Sequence, residues 1–129
     1  MKSINAFFGI ITILILLSQS NGMAQQLGDK VYWMSTIEVS VGKLESYHAF
    51  NSRELLPLME ENGYTTIAVW QTIVGNIEEV IFVAEFESME AYHKARVSLL
   101  SSIDWQTVSK KLDSLTKSIH TRLLSTAPF

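Results

Sequence analysis

The chain has 129 residues, of which 47% are hydrophobic and 18% charged, with a formal net charge of −3; that is one domain's worth of sequence. It contains no cysteine, which excludes disulfides, thiolate chemistry and a lipoprotein anchor. A mildly acidic chain lacks the basic patch that nucleic acid or anionic lipid requires, and Lys110-Lys111 is only a pair of solvated helix charges.

The first two dozen residues read as an export signal. Lys2 supplies a positive start, and Ala6–Leu17 is an uncharged apolar run. Gly22-Met23-Ala24 then places small residues at −3 and −1 of a cut before Gln25. A membrane span needs ~20 apolar residues, and this run is well short of that. The expected division is a signal peptide over 1–24 and a mature domain over 25–129, the latter with nine basic and thirteen acidic side chains and a net charge near −4.

Val31–Val39 is rich in β-formers and predicts strand one. A helix from about Leu44 to Asn62 follows, with Leu44, Tyr47, His48, Leu55, Leu58 and Met59 on one stripe. Pro57 must kink or restart it, because proline lacks an N–H and clashes with the preceding turn. Gly63 is placed to end it as a left-handed C′ residue. Strands two (Tyr64–Val74) and three (Glu78–Glu87) flank Gly75-Asn76 and predict a β-hairpin.

Ser88 predicts an N-cap, with Glu90 in the first turn and Tyr92, Ala95, Leu99 and Leu100 inward. Asp104 predicts a second cap, opening a helix to about Leu115 with Trp105, Val108, Leu112 and Leu115 inward. Lys117–Ser125 is the last strand. The order is β-α-β-β-α-β, an α+β ferredoxin-like arrangement with a four-stranded antiparallel sheet.

Both faces of that sheet are apolar. Strand two offers Ile67, Val69 and Ile73 on one side and Tyr64, Ala68 and Trp70 on the other. Strand three shows Val80, Phe82, Ala84 and Phe86 against Ile81 and Val83. A sheet with one wet face would alternate cleanly, and two helical regions cover only one side. The second side is expected to pack on another copy, as a homodimer closing an α/β barrel.

The ordered set Val41-Gly42-Lys43-Leu44, Leu56-Pro57-Leu58, Gly75-Asn76-Ile77-Glu78-Glu79-Val80, Phe86 to Tyr92, Arg96 and Asp104-Trp105 resembles the NIPSNAP family of the dimeric α/β-barrel superfamily. The resemblance covers nearly all of Val31–Leu124. It implies a ferredoxin-like subunit that dimerises through its sheet, without a settled activity. Family members often carry His and Trp on strand three, where this sequence has Phe82 and Ala84.

Three histidines are candidates for chemistry, and none has metal-ligand spacing. His93 lies on a wet helix face. His48 lies near the inner stripe of the first helix. His120 alternates with Arg122, so both project to one face of strand four, and a neighbouring cation keeps an imidazole neutral. Trp33 and Trp70 are strand aromatics that line either core or cleft. Arg96 either clamps a carboxylate or pairs with Glu87 or Glu90. There is no phosphate loop and no serine nucleophile elbow.

The expected function is therefore an exported NIPSNAP-type dimer, ligand-binding or structural, with no assigned catalysis and no cofactor. The expected ligand is a small planar, partly anionic organic molecule held by His48, Trp70, His120 and Arg122. The alternatives are a cofactor-independent monooxygenase or cyclase, or haem binding through His120 or His48. An enzyme would need two or more of Tyr47, His48, His120 and Arg122 to meet in one cavity.

Overall fold

A computed structural model describes residues 29–128; the expected signal peptide and its cut lie outside them. Strand β1 (Val31–Glu38) pairs antiparallel with β3 (Glu79–Phe86) on one side and β4 (Ser118–Ser125) on the other. Strand β2 (Thr65–Gln71) adds to β3, giving the sheet order β2-β3-β1-β4. The ferredoxin-like α+β fold is thus present.

Between β1 and β2 the chain makes a 3-10 turn at Val41–Lys43, helix α1 (Leu44–Phe50), a π turn at Asn51–Leu55 and helix α2 (Leu56–Glu61). Pro57 occupies the first turn of α2, where its missing N–H has no partner to lose. The wider π turn before it absorbs the register, so the helix restarts there. Tyr47, Phe50, Leu55, Leu58 and Met59 are buried against the sheet.

Gly63 ends the helix at φ 101°, and a Cβ built on it would stand 3.2 Å from the Ala95 Cβ. That close approach brings helix α3 (Met89–Ser101) against the end of α2. A side-chain relay secures it: the Ser98 hydroxyl donates to Asn62 Oδ1 at 2.7 Å, and Asn62 Nδ2 donates to the Leu58 carbonyl at 2.8 Å.

The Ser88 hydroxyl accepts from the Ala91 amide at 3.1 Å and caps α3, as its sequence predicts. Helix α4 (Ile103–Leu115) has Ser102, not Asp104, at its N-cap. Ser102 takes the extended backbone that a cap requires, and Asp104 falls in the first turn, where the helix dipole favours a carboxylate. Ala95, Leu99, Val108 and Leu112 complete the core. No helix of the described residues is long and apolar enough to cross a membrane.

Strand two is shorter than its composition predicts. It ends at Gln71, and Ile73 and Val74 lie in the connecting loop, 88% and 87% exposed. The Asn76 side chain accepts from the Glu78 amide at 3.2 Å, so local bonding closes a longer loop in place of a two-residue turn. A bulge at Ile67 also breaks strict alternation, since Thr66 opposes Ala84 while Ala68 opposes Val83. In consequence Val69 shares Phe82's helix-facing side, contrary to unbroken alternation from Tyr64, and Tyr64 joins it there.

The side away from the helices carries the cross-strand rows Trp70–Ile81–Thr36–His120 and Ala68–Val83–Met34–Arg122. Trp70 is 57% exposed and Ile67 50%. This second face is apolar across three of its four strands.

Candidate functional site

A cleft of about 360 Å³ lies between the helix-facing side of the sheet and helices α2, α3 and α4. Its floor is Trp33, Ser35 and Ile37 of β1, with Phe82 of β3 and Ile119 and Thr121 of β4. Period-two geometry delivers this floor, because alternate residues of one strand share a face. Its roof comes from α3 and α4 at three- and four-residue steps: Tyr92, Arg96 and Leu99, then Trp105, Ser109, Leu112 and Asp113.

Aromatic rings build one end. Trp33 meets Tyr64 edge-on at 5.6 Å and Phe82 at 5.5 Å. Tyr64 meets Phe86 at 5.1 Å, and Phe86 meets Tyr92 at 5.3 Å. Such edge-to-face contacts each add ~1 kcal/mol beyond area burial and hold the rings rigid. Burial pushes the Tyr64 phenol up to about 12; Tyr92 adds to the rise and nearby Arg96 opposes it.

Three polar features stand out in this apolar setting. The Ser35 hydroxyl is buried at 1% exposure and has no hydrogen-bond partner. Arg96 makes no ion pair among the described residues, so it does not pair with Glu87 or Glu90. Asp113 is likewise without an ionic partner among them. The cleft therefore offers an apolar slot, an unsatisfied hydroxyl in its floor and charges on its roof.

The four side chains singled out from the sequence do not meet in one cavity. His48 is on the helix side, its Nε2 2.9 Å from Gln71 Oε1, and is not part of the cleft lining. His120 and Arg122 share a face, as period two predicts, but it is the face away from the helices, where they border a shallow depression with Thr36 and Glu79. Trp70 is on that face too, at the opposite edge of His120's row, about 14 Å away across three strand spacings. The buried Tyr47 hydroxyl has no partner and also lies outside the lining. Its burial alone pushes it up to about 12.

Sequence reasoning placed Arg96 among two outcomes and passed over Ser35, Ser109 and Asp113. Ser35 is the one polar residue at an inward position of strand one, flanked by Trp33 and Ile37 two residues either side. That interruption is a signal readable from the sequence. Among the described residues no group of three or more His, Asp or Glu side chains is placed to hold a metal ion.

A family model described as NIPSNAP matches residues 32–129. The fold is similar to a NIPSNAP family protein of unknown function from Agrobacterium tumefaciens strain C58, with 17% identity and a TM-score of 0.71 over 79% of this chain and 92% of that one. A second NIPSNAP family protein from the same organism gives 20% identity and a TM-score of 0.72, over 78% and 89% of the two chains. SnoaB, a cofactor-independent oxygenase from Streptomyces nogalater, gives 12% identity and a TM-score of 0.60, over 78% and 96%. At such identities the likeness is one of fold. No curated protein matches the chain.

An unsatisfied buried hydroxyl costs ~1–3 kcal/mol relative to a partnered one. Ser35→Ala should therefore raise the stability of the ligand-free protein by about 1 kcal/mol. Urea unfolding at fixed pH measures this. A lower midpoint in the variant would mean that the hydroxyl already has a partner.

Proposed function

The chain belongs to the NIPSNAP family, and we propose an exported homodimer that binds a small planar organic acid in the sheet–helix cleft. The observation that carries the binding role is the cleft itself: aromatic walls, an unpartnered hydroxyl in the floor and a guanidinium without an ionic partner on the roof. Ligand sites have this composition, an apolar body with a few polar groups that fix orientation.

The lining also favours binding over catalysis. Acid–base catalysis calls for titratable groups gathered around one reacting atom. None of the four groups named from the sequence, Tyr47, His48, His120 and Arg122, lines the cleft, and of the titratable groups that do, burial holds the Tyr64 phenol protonated. Phe82 fills its floor where a polar ring would serve an enzyme.

Dimerisation is supported by the apolar open face. Trp70, Ile81 and Met34 face away from every helix and are at least partly open to solvent, and contiguous exposed apolar surface marks a contact site. On this reading Trp70, His120 and Arg122 belong to the seam between copies. Export is supported by Lys2, the run Ala6–Leu17 and the small residues Gly22 and Ala24.

A thermal-shift screen of flat aromatic acids tests the binding role. A ligand at a hundred times its dissociation constant stabilises the fold by about 2.7 kcal/mol. Ser109→Trp, which plugs the cleft from the roof, should abolish the shift. Equal shifts in parent and variant would place the binding elsewhere.

Light scattering should return twice the chain mass at micromolar concentration. Trp70→Asp should halve it while leaving the subunit folded, since Trp70 is already 57% exposed in the single chain. A charge in an apolar seam costs several kcal/mol. A parent that runs as a monomer ends the dimer reading.

Export is checked by the N-terminus of protein recovered beyond the cytoplasmic membrane, expected at or near Gln25. Full-length chain found only in the cytosol would refute it.

A further inference from the structure

The ligand class can be narrowed by the placement of charge along the cleft, an argument that rests on the cleft being the binding site. The cleft runs along the strands. At one end Tyr64 meets Trp33 edge-on, and Arg96 lies close enough to act on the Tyr64 phenol. At the other end are Ile37 and Ile119, paired across β1 and β4. Asp113 belongs to that second end. It stands near the close of α4, from which Thr116 and Lys117 lead directly to Ser118 opposite Glu38.

The floor from Trp33 to Ile37 runs about 13 Å along the strand. A guanidinium and a carboxylate thus mark opposite ends of an elongated slot. Trp33, Phe82 and Trp105 give the stretch between them its flat, apolar walls, with the Ser35 hydroxyl in the floor.

Lack of an ion pair does not by itself single out a charge, since Glu90, Lys94, Asp104 and Lys110 on the same two helices also have none among the described residues. Lys111 of α4 pairs with Glu54, and Lys117 pairs with Glu38 and Glu78. Arg96 and Asp113 are set apart by place: they are the two charged side chains that line the cleft, and they do not pair with each other. A ligand with one anionic end satisfies Arg96 alone. A second anion at the far end meets the Asp113 carboxylate and is repelled, whereas an ammonium there is attracted.

We propose that the cleft selects an aromatic amino acid of the extended kind, with a carboxylate at one end, an amine at the other and a flat ring system between. The carboxylate lies at Arg96 and the amine at Asp113. The Ser35 hydroxyl hydrogen-bonds to a polar atom in the body of the ligand where one is present.

The test uses three probes on one scaffold: 4′-(aminomethyl)biphenyl-4-carboxylic acid, biphenyl-4-carboxylic acid and 4-(aminomethyl)biphenyl. Titration calorimetry on the full mature protein should show the amino acid binding at least tenfold more tightly than either truncation. Arg96→Met should erase its advantage over the amine. Asp113→Asn should erase its advantage over the acid. Both side chains are exposed, so the variants should unfold at the parent's midpoint, which is measured alongside.

If the plain acid binds as tightly as the amino acid and Asp113→Asn changes nothing, the two-ended assignment falls while the cleft remains a site for acids. If none of the three probes binds saturably, the cleft reading falls with it.

Discussion

Strand β1 is the member on which the rest of the structure depends. Every residue from Val31 to Glu38 has a ladder partner on both sides, Phe86 to Glu79 in β3 and Ser125 to Ser118 in β4. That double ladder admits no slip, because a shift of one residue would exchange the two faces along its whole length. It commits Trp33, Ser35 and Ile37 to the cleft and Met34 and Thr36 to the open side. Both the cleft floor and the open face are set by this one strand.

The helices inherit their positions from contacts at its flanks. Gly63 lets α3 approach α2, and the Ser98–Asn62–Leu58 relay holds the two together, so the roof of the cleft is fixed at the end where Arg96 emerges. On the far side Lys43 donates to the Ser114 carbonyl at 2.9 Å, and Lys111 stands 5.7 Å over the Phe50 ring, tying α4 to the first helix. The cleft stays open because the roof is held at both ends while its middle is lined by rings already braced edge-to-face. Rigid walls of that sort reduce the ordering cost of taking up a ligand.

Much of this was legible in the sequence, and the misses have physical causes. Element order, the Ser88 cap, the role of Gly63 and the restart at Pro57 all follow from local chemistry, and local chemistry is what a sequence displays. The bulge at Ile67 was not visible, because an extra residue in one strand depends on the ladder opposite. It moved Val69 to the helix side. Ile73 and Val74 are good β-formers that form no strand, since nothing continues β3 beyond Glu79 for them to pair with. The candidate site suffered most. Alternation correctly put His120 and Arg122 together, but which side of the sheet they face is decided by where the helices cross, a tertiary fact. Ser35, by contrast, interrupts an apolar inward row and is conspicuous once the faces are known.

The double pairing of β1 also has a consequence in time. Its β4 partner is the last strand of the chain, and even at their nearest point, Ser118 and Glu38, the two are eighty residues apart in sequence. Closing so long a loop is entropically slow, and contacts of this range form late. During synthesis the strand that ends up inside the sheet is for a while its edge. An edge of eight unpaired residues bearing Trp33 and Ile37 is a template for wrong partners until β4 arrives. Strand β4 thus acts as a lock on assembly, and a nascent chain stalled short of Ser118 is a body with its most adhesive surface uncovered.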